Sequence, residues 1–299
     1  MCLTKNRDWK LPRERIEEII SMGPILENIT WYGGEVLFLE NFQIIYDLLR
    51  PNSQLRQHIV TNGLLIDKVW AKKFTIDETH ITYSIDAVDP KLYESIRRGA
   101  SFTDLLKSLD LMNSARTKYS DSDLLSLNFV LMKSNLDQLP LLPKFLKNHR
   151  FSHLNIVPVT TLKPGDPENI FESSDKNLIN KTDRLLKNLF RECQDLGIGI
   201  HEWYFQAQGD TTKDKTPEEK KKPICFKPWT KLQICEGGDV ILEQFCIKPV
   251  GNVVNNMLLE IWNSSMIINY RENLLKKEAP EICNPTCFDQ SENRYLNKY

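Results

Sequence analysis

No apolar run in this sequence approaches the roughly 20 residues that a bilayer-spanning helix needs. Neither sign of charge is in excess: 39 Lys and Arg stand against 40 Asp and Glu, a formal net charge of −1. That balance leaves no electrostatic footprint for nucleic acid or an anionic membrane surface. The first fifteen residues carry Lys5, Arg7, Asp8, Lys10, Arg13 and Glu14 without a hydrophobic block, so no secretory signal is visible. A cytoplasmic protein is the expectation. No internal repeat stands out, and cysteine is scarce ahead of residue 225, where only Cys2 and Cys193 occur.

What is present fits an ordinary globular protein. The 299 residues are 41% hydrophobic and 26% charged, enough for one domain of about 200 residues plus a smaller one. Five of the seven cysteines (Cys225, Cys235, Cys246, Cys283 and Cys287) crowd into residues 225–299. In a reducing compartment such crowding favours metal ligation over disulfides. Cys193, in a run with Leu185, Leu186, Leu189 and Phe190, reads instead as a helix core position.

Between residues 13 and 204 apolar strands alternate with amphipathic helices. Strands are expected at 29–32, 57–61, 79–86, 124–132, 151–159 and 197–203. Helices are expected at 42–49, 64–73, 101–117 (with Ser101 as N-cap), 136–148 (interrupted near Pro140 and Pro143) and 175–196, the last entered through Ser173 or Ser174. Repeated strand-then-helix units mean a parallel sheet, either doubly wound or closed toward a barrel. Alternation favours the barrel. Ile81, Tyr83 and Ile85 oppose Thr82, Ser84 and Asp86, whereas a sheet covered on both faces would be apolar on both. A polar face implies a lined cavity, with ligands at the carboxyl ends of the strands. Residues 208–224 are polar and apolar-poor and read as an exposed connector. The expected layout is therefore a barrel domain at 1–204, a charged linker at 205–224 and a cysteine-rich domain at 225–299.

Several motifs fall at strand ends. Trp31-Tyr32-Gly33-Gly34-Glu35 places two glycines, which let backbone approach a ligand, beside a carboxylate that can accept from a cation. Alone it also reads as a plain turn. Thr61-Asn62-Gly63, Ser84-Ile85-Asp86 and Tyr93-Glu-Ser-Ile-Arg-Arg-Gly-Ala-Ser-Phe102 follow in order. As a series they resemble the radical S-adenosylmethionine superfamily, over residues 2 to about 160. The resemblance implies a partial (β/α)6 TIM-like barrel with its first strand missing. It implies that Gly33, Gly34 and Glu35 hold the amino group of S-adenosylmethionine and that Ser84 and Asp86 lie near its ribose. Plain strand-end capping is the other reading of Ser84 and Asp86. Asn62 and Asn128 would face the same cavity without an assigned role, and no residue stands out as a dedicated acid or base.

The motif that defines this superfamily is CxxxCxxC, whose three thiolates bind a [4Fe–4S] cluster with one iron left open. Cys2 lies where the third of these would be, so the resemblance implies an N-terminally truncated sequence, with a naturally degenerate protein as the alternative and an incidental terminal thiol as a third reading. One thiolate cannot hold such a cluster. The expectation is that this polypeptide as written does not cleave S-adenosylmethionine, and that the catalytic [4Fe–4S] cluster and S-adenosylmethionine belong only to a full-length form.

At the other end, Cys225-Phe-Lys-Pro-Trp229, Gly237-Gly238-Asp239-Val240, Gly251-Asn252, Ile261-Trp262 and Cys283-Asn-Pro-Thr-Cys287 resemble, in that order, the SPASM domain of radical enzymes. The resemblance implies one auxiliary [4Fe–4S] cluster, on Cys225, Cys246, Cys283 and Cys287, with Cys235 as an additional candidate. The sequence has Glu243 where that family usually has a cysteine, so Glu243 is another candidate ligand. The thiolates alone would equally suit a structural zinc. Trp229 and Trp262 read as packing anchors. The implied activity is that of an oxidoreductase-type radical enzyme. Its substrate would be a peptide, protein or small metabolite, and its electron donor a reductase or flavodoxin; no nucleic-acid or membrane partner is expected. A non-catalytic iron–sulfur scaffold or electron relay is the rival, and a zinc-stapled barrel the third.

Overall fold

The computed structural model describes residues 10–39, 41–51, 54–120, 123–159, 166–202, 225–243, 246, 248–276, 278 and 281–282. The chain divides into two compact units, Pro24–Phe205 and a second that combines Cys2–Gly23 with Gln206–Tyr299.

Six strands build the first unit: β1 (Asn28–Trp31), β2 (Arg56–Thr61), β3 (His80–Ser84), β4 (Leu125–Leu131), β5 (His153–Pro158) and β6 (Gly199–Glu202). They form one all-parallel sheet in sequential order β1-β2-β3-β4-β5-β6. Parallel neighbours need crossovers, and helices supply them. Here α2 (Phe42–Leu49), α3 (Lys68–Ile76), α4 (Pro90–Ile96) with α5 (Phe102–Tyr119), α6 (Leu142–Asn148) and α7 (Lys176–Asp195) fall in successive gaps. This is the α/β partial barrel expected from the alternating pattern, and the expected sixth strand is present.

Strand alternation divides the sheet chemically. Ile59, Ile81, Tyr83, Leu127, Phe129 and Leu154 are fully buried in one core with the helices. Each such side chain contributes about 1.5–3 kcal/mol by leaving water. The intervening positions His58, Thr82, Ser84, Ser126, Asn128 and Asn155 lie on the opposite face, as the alternation requires.

Helix starts follow local chemistry. Ser101 caps α5 by accepting from the Asp104 N–H at 3.2 Å, as expected. Two starts differ from expectation. Helix α3 begins at Lys68 rather than residue 64, because Asp67 accepts from the Val69 and Trp70 N–H groups at 2.9 Å. Helix α7 is entered through Asp175, which accepts from Asn177 N–H at 2.9 Å, while Ser173 Oγ holds the Asp175 N–H at 3.2 Å. An ionised cap accepts more strongly than a hydroxyl. The expected break near the prolines is a 3₁₀ segment, Lys133–Leu141 with Pro140 inside it, followed by α6 with Pro143 in its first turn. Helix α4, not anticipated, is capped by Asp89 and opened by Pro90.

The second unit contains α1 (Arg13–Met22), α8 (Lys227–Thr230), α9 (Leu258–Trp262) and α10 (Ser265–Leu275). It also holds an antiparallel sheet of β7 (Gln233–Ile234), β8 (Asp239–Ile241) and β9 (Gly251–Asn252). The expected single N-terminal domain over 1–204 is thus divided differently, because α1 groups with the cysteine-rich end. Glu18, nearly buried, accepts from Leu259 N–H at 3.2 Å and pairs with Arg15 at 2.7 Å. The linker expected at 205–224 lies outside the described residues. Among the described residues, no helix is long and apolar enough to cross a membrane.

Gly63 ends β2 at φ +80°, and a Cβ there would collide with the ring of Tyr83, which is fully buried and hydrogen-bonded to Ser108 Oγ at 2.9 Å. Gly63→Ala is therefore expected to destabilise the first unit by more than about 1 kcal/mol, read as a lowered urea midpoint.

Candidate functional site

The carboxyl edge of the sheet gathers the candidate residues by strand. Gly33 follows β1 at φ +138°, a conformation that favours glycine, and no neighbouring atom lies within 4 Å of where a Cβ would stand on Gly33 or Gly34. The glycines therefore present open backbone, and the requirement for glycine at 33 is conformational. Glu35 is held firmly. Its Oε1 accepts from Leu37 N–H at 3.3 Å and Thr61 O–H at 2.7 Å, and its Oε2 accepts from Asn62 N–H at 3.0 Å. The carboxylate thus ties the end of β1 to the end of β2. Of its roughly four lone-pair directions one remains, on Oε2, where a cation could be taken. Asn62 spends its amide oxygen on Leu64 N–H at 2.9 Å, closing its own turn.

Ser84 and Asp86 end the third strand and differ in freedom. Ser84 makes no hydrogen bond through its hydroxyl to the described residues. Asp86 pairs with Arg97 Nη2 at 2.7 Å and accepts from Val130 N–H at 3.1 Å, and its backbone carbonyl accepts from Asn135 Nδ2 at 2.8 Å. Its capping duties are therefore as described for the strand-end reading, and any contact with a ligand would have to share them. Two neighbours escaped the sequence reading. Tyr93 Oη and Arg97 Nε are buried without a hydrogen-bond partner among the described residues. Burial pushes the Tyr93 phenol up, with Arg97 opposing and Asp86 reinforcing that shift. Two unspent donors beside a fixed carboxylate form a place where an acceptor atom would be welcome. Only the motif around Tyr93 signalled this from sequence.

Deeper on the same face, polar side chains satisfy one another. His58 Nε2 is hydrogen-bonded to Thr82 Oγ1 at 2.7 Å, His80 Nε2 to Ser126 Oγ at 2.8 Å, and Asn155 Nδ2 donates to Asn128 Oδ1 at 2.7 Å. The rings of His58 and His80 meet edge to face at 4.9 Å. Burial, then the neighbouring His80 charge, lowers the His58 pKa to about 4. Burial and His153 lower that of His80.

The second unit holds the thiols. Cys225, Cys235 and Cys246 are half-buried and in no disulfide. Cys235 sits in the turn between β7 and β8, its N–H donating to Asp239 O at 2.7 Å and its Sγ receiving Gln233 Nε2 at 3.7 Å. Burial raises its pKa. Cys246 N–H donates to Glu243 O at 2.8 Å. Glu243 itself is paired with Lys231 at 2.7 Å and Lys227 at 3.3 Å. Cys2, Cys283 and Cys287 lie outside the described residues. Among the described residues, no group of three or more His, Cys, Asp or Glu side chains is assembled to hold a metal. The donor chemistry nonetheless fits an iron–sulfur cluster, since soft thiolates are the ligands such clusters take.

A parallel partial barrel with a carboxylate fixed at its strand ends, followed by a thiol-bearing unit, defines a class, and comparison identifies it. Residues 3–139, just under half of the chain, match the Radical SAM superfamily. Residues 225–288 match SPASM, an iron–sulfur cluster-binding domain. Among solved structures, SuiB of Streptococcus suis bound to S-adenosylmethionine is similar with a TM-score of 0.69 at 15% identity, over 97% of this chain and 69% of that one. SuiB bound to the precursor peptide SuiA gives a TM-score of 0.66 at 16% identity, over 96% and 67%. Native anSMEcpe with bound AdoMet gives 0.62 at 16% identity, over 90% and 77%. At such identities the likeness concerns the fold. No curated protein matches the chain in sequence.

The His58 shift sets a pH dependence. Because its folded pKa lies below the ordinary 6.5, folding favours the neutral ring; that stabilisation is complete above pH 6.5 and is lost as pH falls from 6.5 toward 4. The loss amounts to about 3 kcal/mol at 1.36 kcal/mol per unit. Urea midpoints at pH 4.5 and 7.5 should differ less in His58→Asn than in the wild type.

Proposed function

We propose that this chain is the barrel and auxiliary-cluster portion of a radical S-adenosylmethionine enzyme that acts on a peptide. The observation that carries the reading is Glu35, fixed by three donors after an open Gly33-Gly34 backbone, in a region that matches the Radical SAM superfamily. With its clusters bound, such an enzyme reductively cleaves S-adenosylmethionine, and the resulting 5′-deoxyadenosyl radical abstracts hydrogen from the substrate.

The chain's own residues contribute binding and orientation. Glu35 Oε2 takes the amino group of S-adenosylmethionine, and Gly33 and Gly34 let it approach the backbone. Ser84 offers its hydroxyl to the ribose, with Asp86 behind it and held by Arg97. Cys225, Cys246, Cys283 and Cys287 hold one auxiliary [4Fe–4S] cluster, with Cys235 as the further thiol; the two lysines on Glu243 support an all-sulfur set. A peptide substrate is supported by the fold shared with SuiB, which has been seen with its precursor peptide. A reduced cytoplasmic setting and a flavodoxin or reductase as electron donor complete the proposal. Cys2 is the only cysteine ahead of Gly33, so this polypeptide alone supplies one thiolate for the catalytic cluster and is not expected to cleave S-adenosylmethionine unaided.

Anaerobic reconstitution of the full chain tests the reading. About four irons per chain are expected, on the auxiliary cluster, and S-adenosylmethionine binding is measured by equilibrium dialysis on a form extended to carry all three CxxxCxxC cysteines. Glu35→Gln should weaken that binding about tenfold or more, because a charge-assisted hydrogen bond is worth about 1.5–3 kcal/mol. Zinc in place of iron, or equal binding by Glu35→Gln, would refute it.

A further inference from the structure

One short segment of the first unit holds the loop that runs from β3 into α4. It is the 3₁₀ segment Lys133–Leu141, which follows β4. Asn135, fully buried, spends its carboxamide there. Its Nδ2 donates to the Asp86 and Val130 carbonyls at 2.8 Å, and its Oδ1 accepts from Met132 N–H at 2.8 Å. Further along, Gln138 Oε1 accepts from the N–H groups of both Val88 and Asp89, at 3.1 and 2.9 Å. Two donors converge on that atom, so it can only be the amide oxygen. Asp86 Oδ1 accepts from Val130 N–H at 3.1 Å and closes the tie from the other side. The segment is itself anchored at its start: Lys133 N–H donates to the Glu168 carbonyl at 3.0 Å, and Ser134 N–H to Glu168 Oε2 at 2.9 Å. The loops after β3, β4 and β5 are thus joined through Asn135, Gln138 and Glu168.

Asp86 opens the held loop. Asp89, at its end, caps α4 by accepting from Leu92 N–H at 2.9 Å, and α4 leads to Arg97, the partner of Asp86. Burial separates the two amides that do the holding. Asn135 is sealed in, so its replacement would disturb the fold as a whole. Gln138 is half-buried, and water can take over its duty at Val88 and Asp89. Its two bonds therefore add little to global stability and much to the order of one loop. A loop left loose has to be ordered when ligand binds, and that cost is subtracted from affinity. We propose that Gln138 is a positioning residue for S-adenosylmethionine, which through Val88 and Asp89 pre-orders the Asp86 loop on the ribose side of the site. The inference rests on the S-adenosylmethionine reading of the first unit and adds to it a residue outside the proposed contact set.

Two variants carry the test. Gln138→Met keeps the length of the side chain and removes the acceptor, whereas Gln138→Glu keeps the acceptor. In the 299-residue chain, amide hydrogen exchange should quicken at Val88 and Asp89 in Gln138→Met, and stay as in the wild type at Leu127 and Phe129 of β4. Affinity is then read by equilibrium dialysis of S-adenosylmethionine on the extended form with all three CxxxCxxC cysteines, reconstituted anaerobically. Gln138→Met is expected to weaken binding about threefold to tenfold, the cost of ordering the loop on binding. Its urea midpoint should match that of the wild type, and Gln138→Glu should bind as the wild type does. A wild type that does not bind S-adenosylmethionine overturns the reading of the site, and the inference with it. Where the wild type binds, the inference alone is overturned by equal affinity in Gln138→Met or by unchanged exchange at Val88 and Asp89. It is overturned equally by a loss in Gln138→Glu as large as in Gln138→Met, or by a loss matched by a lowered urea midpoint.

Discussion

A parallel sheet normally buries two apolar faces under helices, and this one buries a single apolar face. The other face must then solve a problem of hydrogen bonding, because a buried polar group without a partner costs more than most packing contacts return. The solution runs from strand to strand: His58 with Thr82, His80 with Ser126, Asn128 with Asn155. Groups satisfied in this way rigidify the floor of the sheet, and burial favours the neutral forms of His58 and His80. The exceptions, Tyr93 Oη and Arg97 Nε, follow the carboxyl end of β3. The contrast between a saturated floor and an unsaturated rim organises the first unit.

Glu35 has a structural duty, tying the end of β1 to the end of β2, beside the recognition proposed for it. Three donors immobilise it, including the hydroxyl and backbone of the next strand's end, so its remaining lone pair is aimed without further ordering cost. Asp86 has gone further toward structure, bridging Arg97 and β4. In the second unit, Glu243 is likewise engaged, by two lysines.

Most of the barrel was legible because its information is local. Alternation of Ile81, Tyr83 and Ile85 with Thr82, Ser84 and Asp86 requires a two-faced strand, and Ser101 announces its helix. The helix starts at Asp67 and Asp175 were less legible, since serine and aspartate compete for the same role and only the folded backbone decides which oxygen is in reach. The unpartnered donors of Tyr93 and Arg97 could not be read at all. A missing partner is a property of every neighbour at once, and no periodicity encodes it. The grouping of α1 with the far end of the chain was hidden for a related reason: Glu18 and Leu259 are 241 residues apart.

That separation orders events during synthesis. A ribosome adding about 5–20 residues per second needs on the order of ten to fifty seconds to pass from Glu18 to Leu259. Helix α1 therefore leaves the exit tunnel long before its docking surface exists, while strands β1 to β6 are made in the interval. The thiol-bearing unit cannot close until the last quarter of the polypeptide has arrived.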